Sequence, residues 1–135
     1  MALSNLAAFT KTKKTGVAVL SAAKTTYGDA ANAVLAFTAG PDGSLVRRAT
    51  AIPRATNTAN QLQMYRSTDG GATLTYAGSA LMAAYTMNQT TATPVTDFGI
   101  NFAQPLSLQS NERLYFAAGV AVAAGIVVTV EGEDF

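Results

Sequence analysis

From Gln61 to Tyr76 apolar and polar residues alternate in two runs on either side of Asp69-Gly70-Gly71. Glycine reaches positive φ without a Cβ clash, so an Asp-Gly or Gly-Gly pair between alternating runs predicts a β-hairpin. In its first run Gln61, Gln63 and Tyr65 share one face, and Leu62, Met64 and Arg66 the other. A one-residue slip would exchange a mostly apolar face for a mostly polar one, so the register is specified. The same punctuation recurs along the chain. Asn32 to Thr38 is apolar on both faces and runs into Ala39-Gly40-Pro41-Asp42-Gly43, where proline and glycine suit a type I or II turn. Leu45 to Ile52 follows as a strand, which makes the two a second hairpin candidate. Pro53 should end that strand or set it at an edge, because proline cannot donate to a ladder. Leu106 and Leu108 alternate before Ser110-Asn111-Glu112, and Leu114, Phe116, Ala118 and Val120 then share one strand face. After Ala123-Ala124-Gly125, Ile126, Val128 and Val130 face inward while Thr129 and Glu131 face out. These last two runs predict a closing hairpin whose β-branched residues suit a half-buried pleat.

The remaining stretches are less regular. Ser79 to Thr86 mixes helix formers with no good C-cap, and reads as a strand or a single helical turn. Met87 to Pro94 is a polar loop; its Asn88-Gln89-Thr90 matches a glycosylation sequon, taken as chance because no secretion signal accompanies it. Val95 to Phe102 predicts a short strand broken at Gly99. Met1 to Lys24 stands apart: Leu3, Leu6 and Ala7 sit at helical spacing, then Thr10-Lys11-Thr12-Lys13-Lys14-Thr15-Gly16 follows with no acid before Asp29. Residues 1–24 are therefore expected to form an extended or partly helical arm, with Lys11, Lys13 and Lys14 the candidate partner-binding residues. Residues 25–135 are expected to form one all-β domain. Short strands at roughly 8–12-residue spacing predict an antiparallel β-sandwich or barrel.

Ser67, Asp69, Gly71 and Thr73 match the Asp-box hairpin of sialidase-like propellers, with Leu74 standing at the position that is usually Trp. The resemblance covers one turn, whereas a propeller repeats its box over several blades. Ser67, Asp69, Gly70, Gly71 and Thr73 are accordingly expected to build a structural turn, in which the Asp69 carboxylate accepts turn N–H groups.

Composition narrows the chemistry. The chain has 135 residues, enough for one domain with a core of its own. It has no cysteine and no histidine, which removes disulfides, thiolate chemistry and the commonest general base and metal ligand. No EF-hand loop, P-loop or dinucleotide glycine pattern is present, and no cofactor is expected. Glu131, Glu133 and Asp134 could act as a carboxylate set or bind calcium, or simply form a solvated tail. Arg47, Arg48 and Arg54 could meet phosphate or sit on a solvated strand face. Five tyrosines without tryptophan offer limited material for sugar stacking. The lysines are too few, and lack the Arg and aromatic interleaving, for nucleic-acid binding. The longest apolar run, Gly119 to Val128, falls short of the ~20 residues of a spanning helix, so no membrane partner is expected. The start does not read as a signal peptide, and the product is expected to stay in the cytoplasm until it assembles.

Charged residues make up only 13% of the chain, against about 25% in ordinary soluble domains. Such a surface suits an assembly subunit, the alternative being a monomer coated with Thr, Asn and Gln. The net charge of +1 conceals an asymmetry. Up to Arg66 there are eight basic residues and two acids; from Ser67 onward there are one and six, giving halves of +6 and −5. Opposite halves can steer two copies together, or can pair within one molecule.

The charge-poor Ala/Thr/Asn β-domain, the lysines at 11–14, and the closing pattern Glu112-Arg113-Leu114-Tyr115-Phe116 followed by Ile126 to Phe135 resemble small virion proteins of tailed bacteriophages, in particular capsid decoration (cement) proteins. The resemblance implies a jelly-roll-like sandwich, often a homotrimer, that binds the major capsid protein on the outer shell and braces neighbouring capsomers without chemistry. On that reading deletion of Met1 to Lys14 leaves a folded domain that no longer binds shells. A phage tail, neck or fibre component, or a glycan-binding β-module, is the alternative; a small carboxylate hydrolase is a third class.

Overall fold

The computed structural model describes residues 9–135. The chain forms β1 (Thr12–Leu20), β2 (Val34–Thr38), β3 (Ser44–Pro53), β4 (Asn60–Ser67), β5 (Thr75–Met82), β6 (Thr96–Asp97), β7 (Leu106–Leu108), β8 (Arg113–Ala118) and β9 (Ile126–Asp134). They make two packed antiparallel sheets. Sheet A has the order β1-β9-β3-β6, with β7 also on β3, and sheet B the order β2-β8-β4-β5. Antiparallel pairing joins β1 with β9, β2 with β8, β3 with β6 and β7, and β4 with β5, and the sheets are completed by β3 with β9 and β4 with β8. This is a long hairpin rolled on itself, the strand order of a jelly roll when β6 and β7 count as two pieces of one edge strand. The sheets face each other as a sandwich and do not close into a barrel.

The inward positions follow the alternation in the sequence. Ile126, Val128 and Val130 of β9 and Leu114 and Phe116 of β8 are completely buried against Val46, Ala49 and Ala51 of β3 and Leu62 of β4. Phe98 closes one end of this core with an edge-on contact to Phe116, ring centroids 5.0 Å apart. The β4–β5 hairpin forms as the alternation predicts, with a bulge between Met64 and Tyr65 where the partner strand steps from Gly78 to Tyr76. Ser79 to Met82 belongs to β5, with no helical turn, and the Val95–Phe102 stretch holds only β6 before Gly99 turns at positive φ.

Two hairpins expected from turn signals are instead crossings between sheets. β2 lies in sheet B and β3 in sheet A; likewise β8 lies in sheet B and β9 in sheet A. The turn chemistry is present: Gly43 and Gly125 have positive φ and their N–H groups donate to Gly40 and Val122 carbonyls. Such a turn reverses or bends the chain without fixing which sheet the next strand joins. Pro53 ends β3, and β3 is interior in its sheet, between β9 and β6.

The arm expected over residues 1–24 is corrected over Thr12–Leu20. Thr12–Leu20 is strand β1, registered residue by residue on β9 from Thr12↔Asp134 to Leu20↔Ile126. Ala18 and Leu20 enter the core, so burial of this apolar half holds the lysine half in the ladder. The helical spacing of Leu3, Leu6 and Ala7 lies outside the described residues. Gly16 lets β1 pass close to β2, because a Cβ there would strike the Ala36 carbonyl at the bulge of β2.

Candidate functional site

The face of β4 carrying Gln61, Gln63 and Tyr65 is not solvated. Gln63 is 1% and Tyr65 0% exposed, because residues 21–33 fold over the outside of sheet B. Lys24 anchors that cover. It is 2% exposed, and its Nζ donates to the Asp29 carboxylate at 2.6 Å and the Asp29 carbonyl at 2.8 Å while lying 5.4 Å from the centre of the Tyr65 ring. Gln63 Nε2 donates to the Lys24 carbonyl, and Tyr65 donates its hydroxyl to Gln63 Oε1 at 2.6 Å. Lys24, then the Thr26 hydroxyl and the Ala31 N–H, hold the Asp29 carboxyl down at about 2, and burial pushes the Tyr65 phenol up to about 12. Tyr27 stacks on Tyr76 with centroids 4.6 Å apart and donates to Gln61 Oε1. The buried polar side chains of this layer, Lys24, Gln63 and Tyr65, each have a named partner, which is the arrangement of a structural cover.

At the β4–β5 turn, Ser67 donates its hydroxyl to Asp69 Oδ1 at 2.7 Å, and Asp69 Oδ1 also accepts the Thr73 N–H at 2.9 Å. Gly71 N donates to the Ser67 hydroxyl, and Gly70 and Gly71 both have positive φ. The Thr73 N–H, then the Ser67 hydroxyl, hold the Asp69 carboxyl down at about 2. A cleft of about 450 Å³ opens beside this turn, lined by Arg66, Thr68, Asp69, Thr73, Thr75, Gln109 and Glu112. Its second carboxylate, Glu112, accepts Arg66 Nε at 2.5 Å, Arg66 Nη2 at 3.0 Å and the Gln109 N–H at 2.8 Å. Burial pushes Glu112 up, but the Arg66 guanidinium and the Gln109 N–H together outweigh it and the carboxyl stays below its ordinary value. Both carboxylates are thus ionised and occupied as acceptors, and neither is poised to donate a proton. The cleft presents Thr hydroxyls and the outer part of a guanidinium, groups suited to binding a polar ligand.

The opposite charges of the two halves meet within the molecule. Lys14 pairs with Asp134, Arg47 with Glu133, Arg48 with Glu131 and Arg66 with Glu112, so each of these pairs joins a basic residue of the first half to an acid of the second. For the first three pairs the cause is topological, since β9 lies between β1 and β3, which carry the cations; Arg66 and Glu112 meet where β4 pairs with β8. Glu131, Glu133 and Asp134 are therefore strand residues with basic partners, and among the described residues no acidic cluster has the makings of a metal site. Arg54 donates Nε to the Ala124 carbonyl. Asn88 folds its side chain back onto the N–H and hydroxyl of Thr90.

Of the three candidate lysines, Lys14 is engaged internally: Nζ donates to the Thr38 carbonyl at 2.6 Å and to Asp134 Oδ2 at 3.1 Å. Lys11 and Lys13 remain exposed, Lys13 opposite Glu133 on the outer face of sheet A. That face grades from charge to apolar along β1. Thr15, Glu131 and Arg48 form one cross-strand row; Val17, Thr129 and Thr50 the next; Val19, Val127 and Ile52 the last. Val17, Val19 and Ile52 are exposed. No helix among the described residues is long and apolar enough to cross a membrane. Compared with known proteins, the chain matches no family model, no curated protein and no solved structure.

Proposed function

We propose that this chain is a structural virion protein that binds the outer surface of a tailed-phage capsid and stabilises the shell by bridging neighbouring capsomers. The observation that carries the reading is the apolar row Val19–Val127–Ile52, its two outer members exposed and Val127 half-buried, with exposed Val17 beside it, on a sheet whose arginines are paired internally. A surface of this kind gains by being covered and gives little electrostatic repulsion to an approaching protein. Lys11 and Lys13, at the far end of the same face, supply positive charge toward an acidic shell, and many weak copies add through multivalency. Lys14 is removed from the contact set by its bonds to Thr38 and Asp134. The major capsid protein is the proposed partner, and the virion the proposed location. The homotrimer implied by the resemblance is one way of presenting several such faces at once.

Co-sedimentation with expanded shells of the cognate phage tests this. Wild type should pellet with shells; Val17→Lys and Ile52→Lys should each weaken binding by about tenfold or more, while Lys11→Ala/Lys13→Ala should weaken it less and flatten its salt dependence. Failure of wild type to bind, or binding untouched by Val17→Lys and Ile52→Lys, would overturn the reading. The glycan-binding alternative is favoured by one arrangement, the exposed pair Tyr27 and Tyr76 stacked on the outside of sheet B. Saturable binding on a glycan array that is lost in Tyr76→Ala would establish it instead.

A further inference from the structure

We infer that the free edge of β5 is a contact between two copies of this chain, related by a two-fold axis that runs the two β5 strands antiparallel and joins both copies of sheet B into one sheet. Among the described residues β5 pairs only with β4 and lies at the end of its sheet. The other three edges are unavailable or unsuited. β1 carries Lys13 and Lys14 and leans on β2, with Gly16 against the Ala36 carbonyl and Lys14 Nζ on the Thr38 carbonyl. That contact flanks the edge of β2 as well. The edge formed by β6 and β7 is broken into short pieces and carries Asp97.

The charge pattern selects a second copy as the occupant. About a two-fold axis residue i meets residue j and j meets i, so side chains near the axis lie beside their own counterparts and a charge there meets a like charge. From Gly70 to Thr96 the chain has no charged residue at all. This edge can therefore meet itself without repulsion, and it offers a charged partner nothing to read. It also lacks the usual defences of an exposed edge, lysine, proline or an inward-pointing charge. Its one irregularity, the bulge at Ala77, leaves Gly78 to Met82 in unbroken register with β4. Leu81 is 72% exposed on this strand, and exposed Met87 and Val95 follow in the uncharged segment after it. That segment, Ala83 to Val95, is long for a connection without strands; the Asn57–Tyr85 bridge, the Asn57 amide on the Ala83 carbonyl and the Met87 N–H on the Thr56 hydroxyl tie its first half to residues 56–57. The inference stands whether or not the chain binds a shell, and it predicts a dimer in place of the trimer that the resemblance implies.

Sedimentation equilibrium from micromolar to near-millimolar concentration, at low and high salt, tests it on wild type, Ser79→Lys and Leu81→Lys. Both substitutions are at exposed positions, and thermal unfolding checks that each variant is folded. Wild type should dimerise with little salt dependence, each variant should raise the dimer dissociation constant by about tenfold or more, and hydrogen exchange of Gly78–Met82 amides should be slowed in wild type relative to the variants. A monomer at every concentration, a trimer, or a dimer unaffected by both substitutions would overturn the inference.

Discussion

Glu112→Gln removes one charge from the doubly hydrogen-bonded Arg66–Glu112 pair while preserving the shape of the side chain. Glu112 is 2% exposed and accepts two N–H groups from Arg66 and one from Gln109. Glutamine retains one acceptor oxygen, which Gln109 can keep, and turns an NH₂ toward the guanidinium. Two charge-assisted bonds are weakened or lost, and a hydrogen bond to a charged group contributes about 1.5–3 kcal/mol. Breaking a fully buried pair costs about 3–5 kcal/mol. Here the Arg66 side chain is 31% exposed and keeps its bond to the Ser107 carbonyl, so water offsets part of the loss. The expected cost is about 2–3 kcal/mol. With an unfolding entropy near 2.1 cal/mol/K per residue, the 135 residues give about 0.28 kcal/mol/K, and Tm should fall by roughly 7–11 °C. A cycle with Arg66→Met should return a coupling energy of at least ~1 kcal/mol. The pH dependence gives an independent check. The folded-state pKa of Glu112 is lowered from 4.5, so its contribution is present above the unfolded value and is lost as pH falls through the folded one. Wild type and variant should therefore differ at neutral pH and converge in acid. A Tm difference below about 2 °C at pH 7, or a gap that persists in acid, would refute the reasoning.

Asp29→Asn should leave Lys24 buried without its counter-ion and loosen the 21–33 cover: amide exchange there should accelerate while the β8 and β9 ladders stay protected, and unchanged exchange would remove Lys24–Asp29 as the anchor. Gly132→Ala should cost about 1–3 kcal/mol, since a Cβ would sit 2.5 Å from the Leu45 carbonyl oxygen at the bulge of β3, whereas Gly28→Ala, with nothing within 4 Å, should change stability by no more than about 0.5 kcal/mol. Equal melting temperatures for these two variants would contradict that packing.

The sequence carried the parts of this fold whose information is local. Alternation around Asp69-Gly70-Gly71 specified β4 and β5, and the inward set Ile126, Val128, Val130 is the buried face of β9. What it did not carry is which sheet a strand joins. Turns at Gly43 and Gly125 bend the chain between sheets, and nothing in their chemistry separates that from a hairpin. β1 was obscured for a related reason. Lys13 and Lys14 look solvated until Glu133 and Asp134, about 120 residues away, are brought beside them. The signal that could have found the strand is Gly16-Val17-Ala18-Val19-Leu20, a β-branched alternating run directly after the lysines. Lys24 gave no sign of burial, because its site exists only once residues 21–33 lie on Tyr65 and Gln63. The charge asymmetry was visible, but its resolution required the position of β9 between β1 and β3.

Shell stabilisation itself is the claim on which the functional account rests. Thermal unfolding of expanded shells, followed by calorimetry with and without saturating protein and with Ile52→Lys as the control, tests it most directly. The account predicts that wild type raises the temperature at which shells come apart and that the variant does so less. Shells that carry bound protein yet come apart at an unchanged temperature would contradict it.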